Sequence, residues 1–127
     1  MGPVPWTTLS NGVKMPLLGL GTSLARGHEL ENALRIALDN GYRLIDTAEF
    51  YKNEEFIGNV IEEYVEKGKI KRSEVFIMTK LPVYGQREPK RFIEESLKKL
   101  KMDYIDLYLI HNPMGFMKTE GEDSIKI

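Results

Sequence analysis

Four side chains in this sequence could do proton chemistry together: Asp46, Tyr51, Lys80 and His111. The first two lie in RLIDTAEFYKNEEFIG, residues 43–58, where an apolar run delivers a carboxylate and then, five residues later, a phenol ahead of an acidic helix start. A phenol has an unperturbed pKa near ~10, too high for a good acid at neutral pH, but an adjacent ammonium favours its ionised form and lowers that value. On that chemistry Tyr51 is the proton donor and Asp46 pairs with Lys80, holding it against the phenol oxygen. A neutral His111 hydrogen-bonds the substrate oxygen and orients it. Such a donor suits reduction of a carbonyl, whose oxygen needs a proton as its carbon receives hydride, and hydride calls for a nicotinamide or flavin.

Each residue alone also has a plainer reading. Asp46 reads equally as a cap or a surface ion-pair partner, Tyr51 as a half-buried packing residue, and His111 as an imidazole satisfied by backbone. Lys80 closes an apolar run, so it must be solvated or paired, and a carboxylate on a neighbouring strand is its natural partner. The glycines of GLGT, residues 19–22, suit a phosphate-cradling loop or simply a tight strand exit. A metal-dependent hydrolase using Asp46 and His111 finds little support: only His28 and His111 are available, without paired-ligand spacing, and no metal is expected.

The elements that must position these groups follow from periodicity. Ser10, Asn11 and Gly12 between short apolar segments predict a hairpin over residues 6–15, since Asn-Gly tolerates positive φ. Residues 17–20 read as a short buried strand closed by Gly21. Leu30, Ala33, Leu34, Ala37 and Leu38 share one helical face, with Gly41 as the stop. Residues 44–46 form a strand ending at Asp46. A second helix starts with Asn53 as N-cap and Glu54 and Glu55 offsetting the dipole, buries Ile57, Val60, Ile61, Tyr64 and Val65, and ends at Gly68. Residues 75–78 make a third strand leading into Lys80. Pro89 opens a third helix through Phe92, Leu97 and Leu100, and residues 105–110 form a fourth strand ending at His111. After Pro113, MGFMKTEGEDSIKI shows no period and reads as a loop or frayed end, making 112–127 an irregular tail beyond β/α units at 17–111.

Strand centres near residues 18, 45, 77 and 108 stand about 30 apart, the length of a right-handed βαβ unit. The class is therefore α/β with a parallel sheet, either doubly wound or part of a barrel. In a parallel barrel the C-terminal strand ends carrying Gly19, Gly21, Asp46, Lys80 and His111 converge on one face.

The chain has 127 residues, 42% hydrophobic and 29% charged, with 18 basic against 19 acidic residues and a net charge of −1, so bulk electrostatics predict neither nucleic-acid nor membrane affinity. Without cysteine there is no disulfide, thiolate metal site or cysteine nucleophile, and a cytoplasmic protein is expected. The N-terminus lacks a basic segment followed by an apolar one, position 6 is Trp rather than the Ser or Thr of a myristoylation signal, and no run is long enough to span a membrane.

GYRLIDTAEFYKNEEFIG, residues 41–58, resembles the aldo-keto reductase signature, and LSNGVKMPLLGLGT before it and VFIMTKL and MDYIDLYLIHNP after it extend the likeness from about residue 6 to 113. The resemblance implies a (β/α)₈ TIM barrel with an N-terminal hairpin closing its bottom, here about the first four strands and three helices. It also implies NADPH-dependent interconversion of aldehydes or ketones with alcohols. The family's catalytic tetrad falls on Asp46, Tyr51, Lys80 and His111, its nicotinamide-side contacts on Gly21, Thr22 and Asp46, and its substrate pocket on Ser23, Phe50, Tyr51, Pro82 and His111. Many members carry tryptophan where Pro82 stands and another aromatic residue where Asn112 stands, so the pocket is expected to be less aromatic.

A complete barrel takes about 250 residues or more, and in the family the groups that grip the pyrophosphate and adenosine 2′-phosphate follow strands seven and eight. A half barrel is therefore expected: a truncated or spliced product, an incomplete gene model, or a chain that associates through the open edges of strands one and four. The alternative function is a non-catalytic half-barrel binding or regulatory module of the same descent.

Overall fold

The protein is described here by a computed structural model covering residues 4–115 and the backbone of 117–118 and 125–126. The start of the segment read for leader and acylation signals, and most of the tail after residue 113, lie outside the described residues.

Asn-Gly does what its chemistry predicts. Gly12 takes φ +84°, and β1 (Trp6–Thr8) pairs antiparallel with β2 (Lys14–Pro16), Trp6 opposite Pro16. The next strand is shorter and later than the apolar run suggested. Leu17 donates its N–H back to the Pro5 carbonyl at 2.8 Å, which ties it to the hairpin. The strand β3 is Gly19–Gly21, and Leu17 and Leu18 are exposed.

Then follow α1 (Gly27–Asp39), β4 (Leu44–Asp46), a 3₁₀ turn (Glu49–Tyr51), α2 (Glu54–Glu66), a second 3₁₀ turn (Arg72–Glu74), β5 (Phe76–Leu81), α3 (Pro89–Leu100) and β6 (Leu107–Ile110). The fourth strand thus starts two residues later than its apolar pattern. Asp106 turns back instead: its carboxylate accepts from the Ile77 N–H at 2.9 Å and from Arg72 at 2.8 Å. Beyond residue 115, β7 (Met117–Lys118) pairs antiparallel with β8 (Ile125–Lys126) within the stretch expected to be irregular. Two-residue strands are too short to print an alternation in sequence.

The central sheet runs β3-β4-β5-β6, all parallel. A doubly wound sheet reverses its strand order part-way and puts helices on both faces. Here each strand adds on the same side of the last, and α1 packs on α2 and α2 on α3 in a single layer. That is single winding, the arrangement of a β/α barrel.

The main core lies between this sheet and the helices. Ile45 and Ile77 point outward from the sheet and meet Leu30, Leu34, Leu38, Ile57, Val60, Ile61 and Leu100, all buried. Truncating one of the fully buried isoleucines to alanine costs about 2–5 kcal/mol. Two residues expected on buried helical faces are exposed, Ala33 on α1 and Val65 on α2. Both sit at the flank of an apolar stripe, where a few tens of degrees of helix rotation decide burial. Close approach of α2 and α3 requires Gly58, because an added Cβ would stand 2.7 Å from the Leu100 carbonyl oxygen. Among the described residues no helix is long and apolar enough to cross a membrane.

Candidate active site

Alternation along the strands decides which side chains face the inside of the curved sheet. Leu44 pairs with Phe76 and Asp46 with Met78, so Lys80, two residues beyond Met78, shares the face of Asp46. Lys80 in turn pairs with Leu109, and His111 lies two residues further, its N–H bonded to the Leu81 carbonyl at 3.1 Å. Three successive strands therefore deliver Asp46, Lys80 and His111 to one face, at the C-terminal ends where a barrel builds its chemistry.

Of the contacts expected of these residues the Asp46–Lys80 pair is made, whereas Lys80 lies over the Tyr51 ring and makes no hydrogen bond to the phenol oxygen. Lys80 Nζ donates to Asp46 Oδ1 and, at 2.8 Å, to the Thr47 carbonyl. The lysine side chain is only 12% exposed and the aspartate 37%, so the ammonium depends on the pair more than the carboxylate does. Tyr51 comes from the 3₁₀ turn after β4, and Lys80 Nζ stands 5.1 Å from its ring centroid, over the aromatic face. The Tyr51 hydroxyl makes no hydrogen bond to any described residue and is open to a ligand. His111 packs edge-on against Tyr51 at 5.7 Å and Phe50 at 6.2 Å between ring centroids. Burial, then the nearby Lys80 charge, push its pKa below the ordinary histidine value against the opposing pull of Asp46, which favours the neutral ring.

The remaining predicted positions lie at the C-terminal exits of the same parallel strands. Gly21 lies in register with Asp46, and no atom stands within 4 Å of where its Cβ would be, so a flat ring can approach the strand there. Thr22 is buried, and both its N–H (3.1 Å) and its hydroxyl (2.9 Å) donate to the Asp46 carbonyl. Its side chain is thereby committed to holding the β4 exit. Ser23 is exposed beyond it, Phe50 is exposed beside His111, and Pro82 is buried just past β5, its carbonyl accepting from Gly85 at 2.9 Å.

Two supporting residues escaped the sequence reading. Thr47 holds Lys80 through its carbonyl and gives its hydroxyl to Asn53 Oδ1 at 2.6 Å. Asn53 occupies the N-cap position of α2 as expected, but its side chain makes no cap hydrogen bond. Its amide donates instead to the carbonyls of Thr22 at 2.8 Å and Ala25 at 2.9 Å, fully buried. A polar residue at a helix start carries the signal for a cap; nothing local says that its partners come from another strand exit. Among the described residues no three His, Cys, Asp or Glu side chains gather as a metal site.

The Aldo/keto reductase family model matches residues 17–120. The chain belongs to that family. Among relatives in it, morphine 6-dehydrogenase of Pseudomonas putida is 45% identical over 114 residues, covering 88% of this chain and 37% of its own length. Methylglyoxal reductase of Escherichia coli is 45% identical over 106 residues, covering 84% of this chain and 37% of its own length. The crystal structure of a Bombyx mori aldo-keto reductase in complex with NADP superposes with a TM-score of 0.86 at 36% identity, over 99% of this chain and 44% of that one. The chain thus spans less than half the length of these aldo-keto reductases. Its singly wound four-stranded sheet is the corresponding part of their fold.

Proposed function

We propose that this chain carries the catalytic half of an NADP(H)-dependent oxidoreductase that interconverts aldehydes or ketones with alcohols. The observation that supports this best is the Lys80 ammonium, anchored by Asp46 and Thr47 and standing over a Tyr51 ring whose hydroxyl is uncommitted. When bound, a reduced nicotinamide supplies the hydride that a carbonyl carbon accepts. Gly21, the backbone of Thr22 and the free edge of the Asp46 carboxylate would hold its ring side, in keeping with the open space at Gly21.

The chain's own residues then handle the oxygen. Tyr51 donates its hydroxyl proton to the oxygen as charge builds there, and the Lys80 ammonium stabilises the phenolate left behind. Asp46 keeps that ammonium from turning to solvent. His111, favoured as the neutral ring, has one N–H to offer the same oxygen without competing as an acid. Phe50, Pro82 and Ser23 form the pocket wall around the substrate carbon, with Tyr51 and His111 at its base. Without cysteine the chain needs no oxidising compartment, and the cytoplasm is the compartment we assign it.

NADPH consumption with a small test aldehyde checks the reading. Turnover by the folded chain, abolished in Tyr51→Phe with an unchanged melting temperature, is expected; a folded chain that neither binds NADPH nor turns over would refute it. We also infer that the chain self-associates, because Leu17, Leu18, Leu109 and Ile110 are exposed at or beside the outer strands β3 and β6. A concentration-dependent rise in solution mass is expected, and a monomer at every concentration would exclude it.

A further inference from the structure

Phe50 and Tyr51 are flanked by Glu49 and Lys52, two charged residues with no part in the chemistry above. Glu49 is buried, its side chain 4% exposed, so its carboxylate has to be paired. Both oxygens are engaged. Oε1 accepts from Lys52 Nζ, and Oε2 accepts from the Tyr84 hydroxyl, which sits in the loop after β5. Lys52 Nζ also donates to the Tyr84 oxygen at 3.1 Å, closing a triangle across the turn. We propose that Glu49, Lys52 and Tyr84 form a latch that fixes the turn carrying Phe50 and Tyr51 to the β5 exit loop, making them positioning residues for the proton donor. The proposal rests on the reading of Tyr51 as that donor.

Four further observations bear on it. The latch is anchored at its far end: the Tyr84 ring packs edge-on against the buried Phe92 of α3 at 5.9 Å, and an added Cβ on the next residue, Gly85, would stand 2.6 Å from that Phe92 ring. The near end is a turn closed only by one-turn backbone bonds, Tyr51 N–H to the Ala48 carbonyl and Lys52 N–H to the Glu49 carbonyl, each 3.1 Å. Lys52 itself takes φ +55°, the left-handed region that a glycine would occupy more easily. Protonation agrees with the hydrogen-bond directions. Burial and the Glu49 carboxylate push Tyr84 up, keeping its hydroxyl a donor. For Lys52 burial, the largest single influence, works to lower its pKa, yet the Glu49 and Tyr84 contacts together raise it.

The test measures amide exchange of Tyr51 and Lys52 and the NMR titration of His111 in the whole chain. Tyr84→Phe keeps the ring on Phe92 and removes only the hydroxyl. Exchange at both amides is expected to rise about tenfold, and the His111 midpoint to move up toward its ordinary value as water reaches the ring. Lys52→Gly relieves the left-handed backbone but leaves the buried Glu49 carboxylate without its cation, so its melting temperature should fall while the same two signals change in the folded variant; a purely stabilising role would lower the melting temperature and leave the His111 midpoint of the folded variant unmoved. Where the wild type turns over aldehyde, both variants should lose about tenfold in kcat with KM within about twofold. Wild-type exchange and an unmoved His111 midpoint in Lys52→Gly, or in a folded Tyr84→Phe, would overturn the latch. A wild type without turnover would instead refute the catalytic reading, leaving exchange and titration to decide the latch.

Discussion

Replacing Asn53 by alanine should be among the most damaging single changes available in this chain. The side chain is fully buried and makes three hydrogen bonds: from Thr47 Oγ1 at 2.6 Å, and to the carbonyls of Thr22 at 2.8 Å and Ala25 at 2.9 Å. Each such bond is worth about 1 kcal/mol net, and a buried group left without its partner costs more. Adding the cavity, the expected loss is about 3–5 kcal/mol, a large part of the 5–15 kcal/mol or so that holds a typical domain together. Asn53→Asp sharpens the argument because it keeps the shape. One carboxylate oxygen still accepts from Thr47, but the other faces two carbonyl oxygens, so the buried acid favours its protonated form and its folded pKa lies above the unfolded value. The sign follows: the variant is least handicapped below the unfolded carboxylate pKa and loses stability as pH rises through the folded one. Urea unfolding of wild type and both variants across pH measures this, with denaturant slopes checking that the transitions stay comparable. A loss below about 1 kcal/mol in Asn53→Ala, or an Asn53→Asp deficit that does not grow with pH, would refute the reasoning.

Two further outcomes are expected. The His111 imidazole should titrate below the ordinary histidine value of 6.5 by NMR, because burial and Lys80 disfavour its charged form. Its contribution to stability is present above pH 6.5 and is lost as pH falls through the depressed folded value; an unshifted midpoint would remove this ground for a neutral ring. Glu54 is buried, accepts from the Thr79 hydroxyl at 2.8 Å, and has its pKa raised, chiefly by burial. Its stabilising share is therefore complete below its ordinary value of 4.5 and is lost as pH rises through the raised one. Glu54→Gln keeps an acceptor for Thr79, so thermal unfolding should find it gaining on wild type as pH rises from 4 to 8; parallel curves would count against this.

Much of the fold was legible locally. Asn11 and Gly12 specify the hairpin because few residues tolerate positive φ. The three helices follow from their apolar stripes, and units of about 30 residues point to parallel crossovers. The misreadings have local causes. Leu17 and Leu18 are apolar enough for a buried strand, yet Leu17 bonds to the hairpin and leaves β3 to glycines, which have no side chain to announce a strand. Tyr51 and His111 could be paired with Lys80 on paper because all stand at or just after strand ends. The supporting shell could not: Asn53 looks like a cap, and Glu49 and Lys52 like a surface pair three residues apart, until Tyr84 arrives 35 residues later in the chain.

What the sequence determined by itself is therefore the set of elements and the type of chemistry. Period and turn residues act over a few positions, and a carboxylate, phenol, ammonium and imidazole at strand ends suit few reactions. What only the tertiary structure decided is direction and depth: that the sheet winds one way with its helices in one layer, that Lys80 is the buried member of its pair, and that Asn53 joins two strand exits. Those facts depend on contacts between residues some 25 to 35 apart in the chain, whose geometry is set by how helices and strands pack on one another.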